Sequence, residues 1–190
     1  MLLELNSLLG NKYSSNSQKA RVITEQWVSD NMFCPRCGHP HIRHFENNRP
    51  VADFFCPQCD NQFELKSKKG FSLDVVNDGA YSTMIERIES LDNPDFFFMS
   101  YGADDWRVYN LFFVPKHFFT PGIIEKRKPL SNNARRAGWI GCNIRLSSIP
   151  FAGRIPIIEN GVVVDKKEIL LKVSMADSLL LTDINARGWL

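Results

Sequence analysis

Apolar residues recur at helical spacing twice in this chain and alternate, or run on, as strands do elsewhere. Over 18–29, Ala20, Ile23 and Trp27 share one helical face, and Ser14-Ser15-Asn16-Ser17 just ahead supplies N-cap side chains. Tyr81, Met84, Ile85, Ile88 and Leu91 form a second helical stripe, with Asn77-Asp78-Gly79 predicted to cap it. Residues 62–67 alternate as a strand. After Asn93-Pro94, 96–101 and 108–114 are strand candidates, and Pro115 ends the second. The run 155–158, Asn160-Gly161 and 162–164 predicts a β-hairpin, because Asn-Gly favours the type I′ turn. Residues 120–138 lack periodicity and contain Pro121, Pro129 and Gly138, so a long functional loop is expected there; beyond Lys172 the pattern is weak. Helix, strands, helix, strands in that order predicts a mixed α/β domain with a central sheet and flanking helices.

Length and composition narrow this picture. A chain of 190 residues holds one full domain and not two comfortable ones. Its 14 Phe residues suit a β-rich core, since aromatic rings fit pleated, half-buried surfaces. A net charge of +2 does not by itself identify a nucleic-acid binder, so the distribution of charge has to carry that argument. The N-terminal segment has no basic region followed by an apolar one, and no apolar run approaches the roughly 20 residues of a membrane span. A cytoplasmic protein without a membrane partner is expected. In a reducing compartment the five Cys point to metal ligation before disulfides. There is no Gly-rich phosphate-binding motif, which argues against a nucleotide cofactor.

Cys34-Pro35-Arg36-Cys37 and Cys56-Pro57-Gln58-Cys59 are two CxxC knuckles separated by 18 residues. Two knuckles bring four soft thiolates around one Zn²⁺, and Gly38 suits the tight turn after the first. Four thiolates leave no open coordination position, so this zinc is expected to be structural. His39, His41 and His44 are competing ligands, for which a solvated loop is the plainer reading. Cys142, left over, reads as a small buried residue.

Between and just after the knuckles lie Pro50-Val51-Ala52-Asp53 and, after ten intervening residues, Glu64-Leu65-Lys66. Side chains two apart on a strand share a face, so Glu64 and Lys66 point together while Leu65 points into the core. One acid on the preceding strand plus Glu-x-Lys on the next assembles two carboxylates and an ammonium, with the Leu65 carbonyl in reach. Hydrolysis of a phosphodiester needs such hard oxygen ligands for Mg²⁺ and a cation beside the developing charge. The plain alternative is an ordinary surface Glu/Lys pair.

Lys126, Arg127, Lys128, Arg135 and Arg136 fall in eleven residues without an acid. Such a cluster neutralises phosphates, and Arg also grips guanine bidentately. Trp139, between Gly138 and Gly141, offers an aromatic face to a methylated base; a core position is its plainer alternative. Lys68 and Lys69 are candidate phosphate contacts, with a solvated strand end as the alternative.

The strings FENNRPVADF, FELKSKKG, SNSQKAR, EKRKPL and ARRAGWIGCNI resemble the DpnI-like, methyl-directed type II restriction endonucleases, over most of residues 13–159. The resemblance implies a PD-(D/E)XK restriction-endonuclease-like fold with an inserted four-cysteine zinc ribbon at about 34–59. It implies cleavage of double-stranded DNA at GATC carrying N6-methyladenine; a monomer is expected. Asp53, Glu64 and the Leu65 carbonyl would bind Mg²⁺, Lys66 would position the attacking water, and Cys34, Cys37, Cys56 and Cys59 would bind zinc. Members of the family also carry a C-terminal winged helix, and this chain stops at ARGWL, so one endonuclease domain over 1–190 is expected. Two other readings stand beside it: a zinc-ribbon nucleic-acid-binding module without catalysis, and a nuclease of this fold with a different target.

Overall fold

The structure is a computed structural model that describes residues 1–45, 52–90 and 93–179. Helix α1 (Asn16–Asn31) opens the domain after a 3-10 turn, and buries Ile23, Thr24, Trp27 and Val28. Its face docks on the sheet, where Thr24 Oγ1 lies 3.2 Å from Ser67 Oγ. Strands β1 (Arg43–His44), β2 (Phe54–Phe55) and β3 (Gln62–Lys69) follow, then β4 (Val75–Ala80), helix α2 (Tyr81–Glu89), β5 (Asp95–Tyr101) and β6 (Val108–Val114). The remainder is β7 (Ile124–Lys126), β8 (Gly141–Arg145), β9 (Ile155–Glu159), β10 (Val162–Val163) and helix α3 (Lys166–Ser178).

Seven strands form one mixed sheet in the order β1-β2-β3-β5-β6-β9-β10, and β4-β8-β7 form a second, antiparallel one. In the large sheet only the β3–β5 pairing is parallel. A parallel pair needs a long crossover between its strands, and β4 and α2 supply it. Every residue of β5 is buried, as expected of a central strand covered on both faces. Phe96 and Phe98 stack on Phe119 on one side, at 4.0 and 6.1 Å between ring centroids. Phe97 meets Phe63 and Phe113 on the other, at 5.4 and 5.7 Å. The many phenylalanines are thus the β-rich core their number suggested.

Asn160 and Gly161 both take positive φ, 51° and 75°, as the type I′ turn requires. Three expectations need correction. Asn77-Asp78-Gly79 do not cap α2. They lie in β4, paired with β8 through Asn77↔Asn143 and Asp78↔Cys142, and the register shifts at Gly79; Ala80 occupies the cap without a side-chain bond. Cross-strand hydrogen bonds to β8 hold these residues in a strand, where Asp78 also pairs with Lys66 of β3. The 120–138 loop contains β7 at its start, too short to show alternation. Beyond Lys172, where the pattern looked weak, the chain continues in α3 (Lys166–Ser178), capped by Asp165, whose carboxylate accepts from the Lys167 and Glu168 amides. Leu91, Pro50, Val51 and the terminal ARGWL lie outside the described residues.

Candidate active site

The two CxxC segments fold into matching knuckles. In each, the first Cys accepts from the amide four residues on (Gly38 to Cys34, Asp60 to Cys56, both 2.9 Å) and donates to the carbonyl five residues on. The residue four on needs a left-handed backbone: Gly38 has φ 76° and Asp60 57°. The four sulfurs lie within 4.8 Å of one another. Cys34–Cys59 and Cys37–Cys56 are 3.7 and 3.6 Å apart, close to the roughly 3.8 Å edge of a tetrahedron with ~2.3 Å Zn–S bonds. Asn61 Nδ2 and the Gln58 amide donate to Cys59 and Cys56 sulfur, as suits anionic thiolates. Burial works to raise the Cys59 thiol, but the Asn61 bonds and neighbouring thiols outweigh it and leave it lowered, to about 7. The cluster is compatible with a zinc ribbon. Among the histidines, His44 is not a solvated loop residue: it sits in β1, with Nε2 3.0 Å from Glu25 of α1. Cys142 is fully buried in β8, as expected.

Arg36, inside the first knuckle, fastens the cluster to the sheet. Its Nε and Nη2 grip both oxygens of Asp95, each at 2.7 Å, and Nη1 reaches Asp177 of α3. Asp95, 2% exposed, opens β5 and also accepts the Lys116 amide.

Immediately beyond the ribbon the acids and the lysine of β3 converge. Asp53 Oδ2 accepts from the Leu65 amide at 2.8 Å, which locks the acid before β2 against the middle of β3. Glu64 and Lys66 do share a face, with Oε1 2.6 Å from Nζ. Leu65 packs against the core. Burial raises the Asp53 carboxyl to about 6, against the Leu65 amide and with further lifting by Glu64 and Glu25. Burial opposes the charge on Lys66, yet Glu64 and Asp78 prevail and hold its ammonium above the usual range.

Three participants were missed by sequence reasoning. Asp78 of β4 pairs with Lys66 Nζ at 2.8 Å. Arg87 of α2 places Nη1 2.5 Å from Glu64 Oε2. Glu25 of α1 adds its charge to Asp53 and holds Arg21 at 2.7 Å. Asp78 and Arg87 arrive on the β4–α2 crossover, so no local spacing announces them.

The expected DNA-contacting residues form a separate group on the β7–β8 hairpin. Backbone bonds from Arg127 to Gly141, Leu130 to Trp139 and Gly138 to Leu130 extend it past its strands. Lys126, Arg127, Lys128, Arg135 and Arg136 are all exposed, and none forms an ion pair among the described residues. Trp139 is half-buried rather than in the core. Its ring crosses Gly141, where a Cβ would meet it at 2.8 Å, and Arg136 lies over it at 4.7 Å. Lys126 lies over Tyr81, the first residue of α2, at 5.3 Å. Because β8 pairs with β4, one small sheet carries both this hairpin and Asp78. Lys68 is turned inward, its amine donating to Val75 O at 2.7 Å; Lys69 is exposed.

A mixed sheet, a four-cysteine ribbon and a buried cluster of acids and lysine agree with what the chain matches: the family model described as DpnI: Dam-replacing family, over residues 1–182. With all but the last eight residues inside that match, the chain belongs to the DpnI family of restriction endonucleases.

Proposed function

We propose that this chain is a Mg²⁺-dependent endonuclease that hydrolyses double-stranded DNA at GATC sites carrying N6-methyladenine. The observation that supports it is the convergence of Asp53, Glu64 and Lys66 on one buried site in a chain of this family. Asp53, Glu64 and the Leu65 carbonyl would hold Mg²⁺. The donors fit such an ion: they are hard oxygens, and Glu64 Oε2 is buried without a hydrogen-bond partner. When bound, the ion supplies charge stabilisation at the phosphate and a more acidic water. Lys66, steadied by Glu64 and Asp78, keeps an ammonium where it positions the attacking water and offsets developing negative charge. Zinc in the four-cysteine ribbon, with no open position, acts as a structural ion. We assign 1–190 to a single endonuclease domain.

The β7–β8 hairpin is the DNA reader in this proposal. Its exposed cations neutralise phosphates, and the half-buried Trp139 presents a ring to the methylated adenine. Trp139→Ala is expected to narrow the preference for methylated over unmethylated sites; an unchanged ratio of cleavage rates would remove it as the reader.

The test is digestion of one plasmid in adenine-methylated and unmethylated forms, with Mg²⁺ and with EDTA, by parent and Glu64→Gln. Cutting of the methylated form alone, dependent on Mg²⁺ and lost in the variant, is expected. Cutting of both forms would sink the methyl specificity and leave the nuclease. Binding without cutting, unchanged in Glu64→Gln, would make the chain a binding module.

A further inference from the structure

Glu64 carries two cations of the protein's own. Lys66 takes Oε1 at 2.6 Å and Arg87 takes Oε2 at 2.5 Å. The two contacts differ in quality. Lys66 is a shared partner, held also by Asp78. Among the described residues Arg87 pairs with Glu64 alone, and that contact lacks hydrogen-bond geometry: Glu64 Oε2, Arg87 Nε and Arg87 Nη2 are all buried without a hydrogen-bond partner. Arg36 in the same molecule shows the contrast, with Nε, Nη1 and Nη2 all bonded to carboxylates. Buried donors left unpaired are costly, so Arg87 is held here less firmly than Arg36 is and a ligand that satisfies those donors can draw it away. Its unused edge, Nε with Nη2, is the one with which an arginine grips two oxygens of a phosphate.

Placement supplies the phosphate. Arg87 lies on α2, which packs against β4, β7 and β8, the sheet that bears the basic hairpin. Lys126 of that hairpin rests on Tyr81 at the start of the same helix. A duplex on the hairpin therefore brings its backbone to the helix that carries Arg87. An ion that takes Glu64 Oε2 has to displace the guanidinium, whereas Lys66 can stay, anchored by Asp78.

We propose that Arg87 is a positioning residue that gates the metal site: it covers Glu64 until a DNA phosphate draws its guanidinium away, so DNA binding and cation binding are coupled through it. The inference rests on the Mg²⁺ site proposed above.

Calorimetric titration with Ca²⁺ tests it, with and without a short methylated GATC duplex, the DNA being checked for intactness afterwards. In the parent, the duplex is expected to tighten Ca²⁺ by about tenfold or more, a common size for such coupling. Arg87→Met is expected to bind Ca²⁺ about tenfold more tightly than the parent without duplex and equally with it. The coupling ratio then collapses. Loss of a nearby positive charge alone would tighten both titrations alike and leave the ratio unchanged, and that result overturns the gate. Arg87→Gln carries the same expectations should the methionine variant not fold. Glu64→Gln separates the two readings: retained Ca²⁺ binding there defeats the metal site itself. Lost binding there, with an unchanged ratio in Arg87→Met, defeats only the gate.

Discussion

Asp53 is a residue whose chemistry depends strongly on its surroundings. Its sequence context is ordinary, yet burial lifts its carboxyl to about 6, and Glu64 and Glu25 add to the effect. In the unfolded chain an Asp titrates near ~4. A group with a raised folded pKa contributes stability that is fully present below the unfolded value and lost as pH rises through the folded one. Asp53 thus favours the fold below about pH 4 and ceases to by the time pH passes 6. Asp53→Asn carries no such loss. Urea melts of both proteins from pH 4 to 7 should show the variant gaining on the parent by on the order of 2 kcal/mol. A difference that stays flat with pH would mean the carboxyl is not raised.

Two elements carry cations whose roles are opposite. In the first knuckle Arg36 is spent on the fold: it joins the ribbon to β5 through Asp95 and to α3 through Asp177. Arg36→Ala leaves Asp95 buried without its partner, and such a loss costs about 3–5 kcal/mol. Denaturant unfolding of this variant measures the loss, and a cost below about 1 kcal/mol would show the bridge to be surface-like. On the β7–β8 hairpin Lys126, Arg127, Lys128, Arg135 and Arg136 have no ion-pair partner among the described residues, whereas Arg145 at its end pairs with Glu125. If they meet phosphates, Arg135→Ala with Arg136→Ala should reduce the slope of log affinity against log salt by about 2, roughly one per contact. Filter binding at several salt concentrations reads that slope directly.

At the scale of the molecule, the site exists where three independently routed pieces meet. The ribbon fixes the chain on either side of Asp53, β3 provides Glu64 and Lys66, and the β4–α2 crossover returns over them with Asp78 and Arg87. Removal of the ion expected at the four cysteines should undo the first piece and not the other two. After chelation and return to Mg²⁺, cleavage should be absent, the melting temperature lower by about 10 °C or more, and both restored by Zn²⁺. Unchanged melting after chelation would mean that the four sulfurs hold no structural metal.

What could be read along the chain was whatever is written in a few consecutive residues. The CxxC pairs, the Asn-Gly hairpin, the period-two placement of Glu64 and Lys66, and the strands at 96–101 and 108–114 are of this kind. Each depends on backbone geometry over a span of a few residues, and that geometry is the same wherever the span sits. Asn77-Asp78-Gly79 shows the limit: locally it is a helix cap, but pairing with β8 and an ion pair to Lys66 hold it in a strand. Arg87 shows it again, since an arginine on the polar side of a helical stripe has no local mark of function. It reaches Glu64 only because β3 and β5 run parallel and the chain between them must cross over. The paired knuckles, the shared face of Glu64 and Lys66, and the hairpin turn are legible in the residues alone, because turn and strand geometry are local. Which charges surround Glu64 follows from the folding of distant elements together, because a carboxylate buried beside the core takes its counter-ions from whatever elements fold across it.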